Sequence, residues 1–252
     1  MLTIGSLFSG IGGLEMGLEW AGLGPVRWHV ERDEFCRRVL AKHWPDVKRY
    51  DDVCTIGAAL ERVDLICGGF PCQDVSSAGK RAGLAGARSG LWREFARVVG
   101  VIRPRWVVVE NVASGATRWV DAVVRDLAEL GYASLPIPLS ASDVGAPHKR
   151  ERVFVVAYCR DNGRAQLGKT DDCRSSRQHD EARRESHRRC APMGFPPGPL
   201  GWSEQTETDD QPFVRRVADG LPARLDLFRA LGNCVVPQCA EVIGHIVREL
   251  AQ

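Results

Sequence analysis

Short apolar runs alternate with helical patterns through the first 157 residues. Leu2 to Phe8 reads as a strand broken by Gly10, Gly12 and Gly13, with Leu14, Leu18 and Ala21 following at helical spacing. Val26–Glu31, Val63–Phe70, Trp106–Val109 and Val153–Ala157 are further strand candidates. Between them lie helices marked by Phe35, Val39 and His43, by Leu91 to Ile102, and by Val120, Val123, Val124, Leu127 and Leu130. Strands apolar on both faces that alternate with helices predict an α/β fold with a largely parallel sheet covered on both sides. Ligands bind such sheets beyond the carboxyl ends of the strands. Those ends are where chemistry is expected.

The pattern stops at Cys159. From Cys159 to Cys190 there are nine Lys/Arg against six Asp/Glu, and three of the six apolar residues are cysteines. A Pro/Gly-rich stretch follows, and helical periodicity returns at Leu225, Phe228 and Leu231, before a closing helix from Cys239 to Leu250. A segment this poor in apolar residues cannot build its own core, and long excursions in compact enzymes commonly carry function. The expected organisation is a catalytic domain over 1–158, an insertion over 159–212 and helices over 213–252 that return to the domain.

At 44% hydrophobic and 26% charged the chain can bury a core, and its formal charge of +2 leaves any basic surface local. No run approaches the ~20 consecutive apolar residues of a bilayer span, and the N-terminus lacks a basic head of the secretory kind. The expected compartment is the cytoplasm, with no membrane partner. Nine cysteines, an odd number without an export signal, fit reduced thiols rather than a disulfide framework. Cys159, Cys173, His179, His187 and Cys190 match no compact zinc spacing, so no metal is expected.

Two features carry chemistry. The turn Phe8-Ser9-Gly10-Ile11-Gly12-Gly13 between a strand and a helix admits a ligand close to the backbone, and Glu31 ends the next strand where ribose-binding carboxylates sit. The strand ending Gly68-Gly69-Phe70-Pro71-Cys72-Gln73 presents a thiol on a constrained loop, while the next ends in Glu110-Asn111-Val112. A thiol and a carboxyl at one sheet edge suit nucleophilic attack coupled to proton transfer.

These residues resemble the DNA cytosine carbon-5 methyltransferases, in the family's order, from Ile4 to about Ile246. The resemblance runs through the FSGIGGLE turn, Glu31, Asp52-Val53, and the Gly-Phe-Pro-Cys-Gln loop with Ser76, Ala78, Gly79 and Arg88-Ser89-Gly90-Leu91. Glu110-Asn111-Val112, Arg150 and Arg152, Arg216, Asp219-Gly220-Leu221-Pro222 and Ala230 to Pro237 complete it. It implies a Rossmann-like S-adenosylmethionine-dependent methyltransferase fold, its sheet mixed but mostly parallel, with a small irregular target recognition insertion.

The resemblance also implies roles. Cys72 is the nucleophile that adds to carbon 6 of cytosine, and Glu110 hydrogen-bonds ring nitrogen 3 and the exocyclic amine. Arg150 and Arg152, alternating along an extended segment, are expected on one side, Arg152 holding the base carbonyl and Arg150 supporting the loop. Phe8, Gly10, Gly12, Glu31, Asp52, Val53, Pro71, Asn233 and Val235 are implied to bind S-adenosylmethionine. Gln73, Ser76, Lys80, Arg81 and Arg88 are implied to contact double-stranded DNA, from which the target base is flipped. Monomeric action is the family's habit; a restriction endonuclease counterpart is not specified by the sequence.

The chain departs from the family at His148, where glutamine is usual, at Cys234, where alanine or serine is usual, and in its short recognition region. The rival functions are cytosine methylation in RNA and a non-catalytic DNA- or cofactor-binding relic. The Cys-Phe-Thr tripeptide of the RNA branch is missing from the sequence, and every catalytic position of the family is kept.

Overall fold

A computed structural model describes residues 1–57, 60–71, 90–160 and 230–252, apart from the Arg118 side chain. The chain divides into two units, one of Met1–Gly163 with Asp210–Gln252 and one of Arg164–Asp209. The second lies outside the described residues.

The first unit is built on a seven-stranded sheet. In chain order its elements are β1 (Ile4–Leu7), α1 (Gly13–Trp20), β2 (Val26–Val30), α2 (Glu34–His43), β3 (Lys48–Tyr50), β4 (Leu65–Gly68) and α3 (Gly90–Ile102). They continue with β5 (Trp106–Val112), α4 (Ala116–Glu129), β6 (Tyr132–Ser140), a 3-10 turn at Ala141–Val144, β7 (Glu151–Cys159) and α5 (Pro237–Leu250). The strand order is β3-β2-β1-β4-β5-β7-β6, and β7 alone runs against its neighbours. This is the expected Rossmann-like sheet, mixed and mostly parallel. The chain winds outward from β1 through β2 to β3, then crosses to β4 on the other side of β1, so the topological switch point lies between β1 and β4.

Strand parity sorts the core into two layers. Leu7, Ile66, Val107, Val109, Val153 and Val155 face Trp92, Phe95, Trp119 and Val123 of α3 and α4. Ile4, Leu65, Cys67, Val108, Phe154 and Val156 face Leu14 and Leu18 of α1 and Cys239, Ile243 and Val247 of α5. Helices α1 and α5 approach closely because small residues meet at their contact. A Cβ on Gly17 would lie 2.1 Å from the Pro237 carbonyl oxygen, and one on Gly244 would lie 2.5 Å from Ala21 Cβ. This packing brings the C-terminal segment back onto the first helix. Ala230–Leu250 is also long and apolar enough for a bilayer span by length and composition. Its apolar face is the one packed on α1, and it carries Glu241 and Arg248, as a core helix does.

Two strands escape the apolar pattern. β3 reads Lys-Arg-Tyr, and β6 carries Pro136 and Pro138 with Leu135 half-exposed. Both are edge strands, where water completes one side of the ladder and proline is tolerated. β7 runs to Cys159, paired with Tyr132, two residues past the expected end.

Candidate active site

Register aligns the strand ends. Leu7 pairs with Val30 and with Gly68, and Gly68 pairs with Val109. The next residue of each strand, Phe8, Glu31, Gly69 and Glu110, therefore falls in one row across four neighbouring parallel strands. Beside this row opens a cleft of about 350 Å3, counted to its open mouth, whose wall includes Phe8, Gly10, Gly69, Glu110, Asn233 and Val235.

Glu31 is held from two sides. Its carboxylate accepts from the Gly10 N–H at 2.7 Å and from the Asp33 N–H at 2.7 Å. The first bond fixes the glycine turn against β2. Gly10 takes a left-handed φ of +56°, and a Cβ there would meet nothing within 4 Å, so the turn is open on that side. Phe8 is left-handed as well (φ 54°), a strained state for a bulky residue, and stacks on Phe95 at 6.5 Å between ring centroids.

Glu110 is almost fully buried and ion-paired, its Oε1 2.8 Å from Arg152 Nε. The contact follows from the antiparallel register: Glu110 lies opposite Phe154, and Arg152, two residues earlier on the same face, is its diagonal neighbour. Burial nevertheless outweighs the guanidinium groups of Arg152 and Arg150 and pushes the Glu110 carboxyl up to about 7. Gly69 leaves room for this carboxyl, since a Cβ there would lie 2.6 Å from Glu110 Oε2.

The arginine pair corrects the expectation of simple alternation. Arg152 lies in β7, but Arg150 precedes the strand with a left-handed φ of 34°, so the two do not alternate along an extended segment. Arg150 instead reaches the C-terminal segment, donating from Nη2 to the Gly232 carbonyl at 2.9 Å and to the Cys234 carbonyl. A Cβ on Gly13 would lie 2.3 Å from the Val235 carbonyl oxygen, so the same segment is pressed on the start of α1.

Of the other expected cofactor residues, Asn233 is exposed at the cleft and Val235 is buried. Asp52 follows β3, and its Oδ1 accepts from the Cys54 N–H at 2.9 Å, which lowers its carboxyl pKa. The Val53 side chain packs in the core and its carbonyl accepts from Arg97, so it offers a ligand neither of these. Pro71 is exposed at the edge of the described residues. Cys72, Gln73, Ser76, Lys80, Arg81 and Arg88 lie outside them, as does the insertion from residue 161 on.

Two residues of the site, Asn111 and Glu15, stand within the motifs of the sequence without a separate role there. Asn111 Nδ2 donates to the Phe70 carbonyl at 2.9 Å while its Oδ1 accepts from the Val112 N–H at 2.8 Å. It ties the end of β5 to the loop that leads into Cys72. Asn111→Ala leaves that buried carbonyl unpaired and is expected to cost about 1–3 kcal/mol of stability. Equilibrium urea unfolding measures this, and an unchanged midpoint would mean the tether carries no load. The second residue, Glu15, is fully buried in the first turn of α1 and lines the cleft. Its Oε1 accepts from Ser6 Oγ, while Oε2 has no partner among the described residues. Its signal was a carboxylate one position from Leu14 and three from Leu18, on the apolar side of the helix.

Residues 2–190 match the sequence model of the C-5 cytosine-specific DNA methylases. Over 167 residues the chain is 36% identical to the Type II methyltransferase M2.BsuMI of Bacillus subtilis, covering 62% of this chain and 42% of that one. Over 188 residues it is 36% identical to the Type II methyltransferase M.AquIA of Picosynechococcus, covering 66% of this chain and 72% of that one. The chain thus spans less than half the length of the Bacillus subtilis relative. The crystal structure of a Spodoptera frugiperda DNMT2 mutant shares the fold at a TM-score of 0.54 and 21% identity, over 68% of this chain and 54% of that one.

Proposed function

Since the chain belongs to the C-5 cytosine-specific DNA methylase family, we propose that it transfers a methyl group from S-adenosylmethionine to carbon 5 of a cytosine flipped out of double-stranded DNA. The observation that carries this reading is the buried Glu110 carboxyl, paired with Arg152 beside the loop that leads into Cys72.

The cleft fits S-adenosylmethionine in its chemistry. Its wall has a turn open at Gly10, which bonds the Glu31 carboxylate beside it, and a buried carboxyl oxygen at Glu15 without a partner among the described residues. Phe8, Gly10, Gly12, Glu31, Asp52, Pro71, Asn233 and Val235 are the residues that would hold it. When bound, it supplies an electrophilic methyl group.

The chain's own residues make the base reactive. The Cys72 thiolate adds to carbon 6, its electron pair forming the new bond, and the ring becomes an enamine with a nucleophilic carbon 5. Glu110 in its protonated form donates to ring nitrogen 3 as charge builds there and accepts from the exocyclic amine. Arg152 orients Glu110 and holds the base carbonyl. After methylation, the carbon-5 proton leaves to water and its electron pair expels Cys72. Gln73, Ser76, Lys80, Arg81 and Arg88 bind the DNA, and the insertion reads the target sequence with its arginines. The protein acts as a monomer in the cytoplasm.

The test is expression in a methylation-free bacterial host followed by bisulfite sequencing of the host DNA. Protected cytosines in one fixed short context are expected, and no protection in cells making the folded protein would refute methylation of DNA. A finer expectation concerns Glu31. Glu31→Ala should weaken S-adenosylhomocysteine binding ~10–100-fold, the worth of a hydrogen bond to a charged group. Calorimetric titration gives the number, and an unchanged affinity would strip Glu31 of its role.

A further inference from the structure

We propose that Glu15 is a binding residue of this cleft, accepting at Oε2 a hydrogen bond from the α-ammonium group at the amino-acid end of S-adenosylmethionine. The proposal rests on the reading of the cleft as that molecule's site.

The carboxyl is held in place before any ligand arrives. Ser6 Oγ bonds Glu15 Oε1 and lies 2.8 Å from Ser9 Oγ, which is within reach of the Ser6 and Val30 carbonyls at 3.4 and 3.5 Å. This serine pair fixes one oxygen and leaves the other buried and without a partner among the described residues, on a residue that lines the cleft. A buried carboxyl oxygen without a donor is unfavourable, and a cationic donor relieves it best.

The neighbouring groups leave this task to Glu15. Glu110 is already paired with Arg152, and both oxygens of Glu31 accept from backbone amides. Burial raises the thiols of Cys67 and Cys234, the latter to about 12, so neither supplies charge. Burial also pushes the Glu15 carboxyl up to about 7, so an arriving cation readily ionises it. Of the ligand's charged groups, the sulfonium has no hydrogen to donate and the carboxylate is repelled. The ammonium alone meets both requirements.

The test compares two ligands on two proteins by calorimetric titration. S-adenosylhomocysteine carries the ammonium group; methylthioadenosine keeps the nucleoside and sulfur but lacks the amino-acid end. Glu15→Gln, which copies the shape of the protonated acid, should weaken S-adenosylhomocysteine ~10-fold or more and leave methylthioadenosine within about twofold. Equal losses for both ligands, or no loss for either, would overturn the proposal. Should Glu15→Gln fail to fold, S-adenosylhomocysteine without its α-amino group applies the same test to the wild type. It should bind about as weakly as the intact ligand is expected to bind Glu15→Gln, and undiminished affinity would refute the contact. Wild-type protein that binds neither ligand would instead remove the cofactor reading itself, before Glu15 enters.

Discussion

Cys72→Ala is expected to abolish methyl transfer to duplex DNA, by on the order of 10³-fold or more, while S-adenosylhomocysteine binding stays close to wild type. Carbon 5 of cytosine is too weak a nucleophile to take a methyl group unaided, and the thiolate addition at carbon 6 is what activates it. Without the sulfur that route is closed. Cys72→Ser should fare little better, because a hydroxyl gives up its proton far less readily than a thiol of pKa ≈ 8.5. Cofactor binding should survive because Phe8, Gly10, Glu31, Asn233 and Val235 come from other elements. The loop itself is anchored upstream by Asn111 at the Phe70 carbonyl, a tether the substitution does not touch. Transfer of a labelled methyl group, measured beside the ligand titration, separates the two effects. Turnover retained in Cys72→Ala would remove Cys72 as the nucleophile, whereas loss of both transfer and binding would point to damage beyond the thiol.

The central strands were legible because burial on both faces leaves a continuous apolar run. Leu65–Gly68 lies within its expected segment, β5 starts at the expected Trp106 and runs three residues past Val109, and their register lines up Phe8, Glu31, Gly69 and Glu110. Edge strands β3 and β6 were not, because half their surface faces water and no apolar period survives in Lys-Arg-Tyr or in a segment with two prolines. Motif order named Arg150 and Arg152 but not their separate partners. The left-handed backbone at Arg150 sends its guanidinium to carbonyls more than eighty residues away, a contact no local spacing encodes. Glu15 and Asn111 were hidden for a related reason. Each works through an atom of another segment, Ser6 of β1 in one case and the Phe70 carbonyl in the other. Sequence pattern reports which face a residue occupies; it does not report what meets it there.

Glu110→Gln is expected to slow methyl transfer about 10²–10⁴-fold and to remove the alkaline fall in the pH profile. Glutamine can still donate to ring nitrogen 3 and accept from the exocyclic amine, and its oxygen can still accept from Arg152. What it cannot do is hand over a proton as the thiolate adds. This makes it more telling than alanine, which would leave the Arg152 charge buried without its partner and confuse chemistry with stability. The sign of the pH effect follows from burial. In the folded protein the Glu110 carboxyl stands at about 7, against an ordinary 4.5, so it holds its proton below neutrality and loses it as the pH rises through that value. The wild-type single-turnover rate should therefore rise from the acid side and then decline on the alkaline side, where Glu110 has lost its proton. In Glu110→Gln the acid side should remain and the decline should vanish. A decline that persists belongs to another group, and a near-normal rate at every pH would show that nitrogen 3 takes its proton from elsewhere.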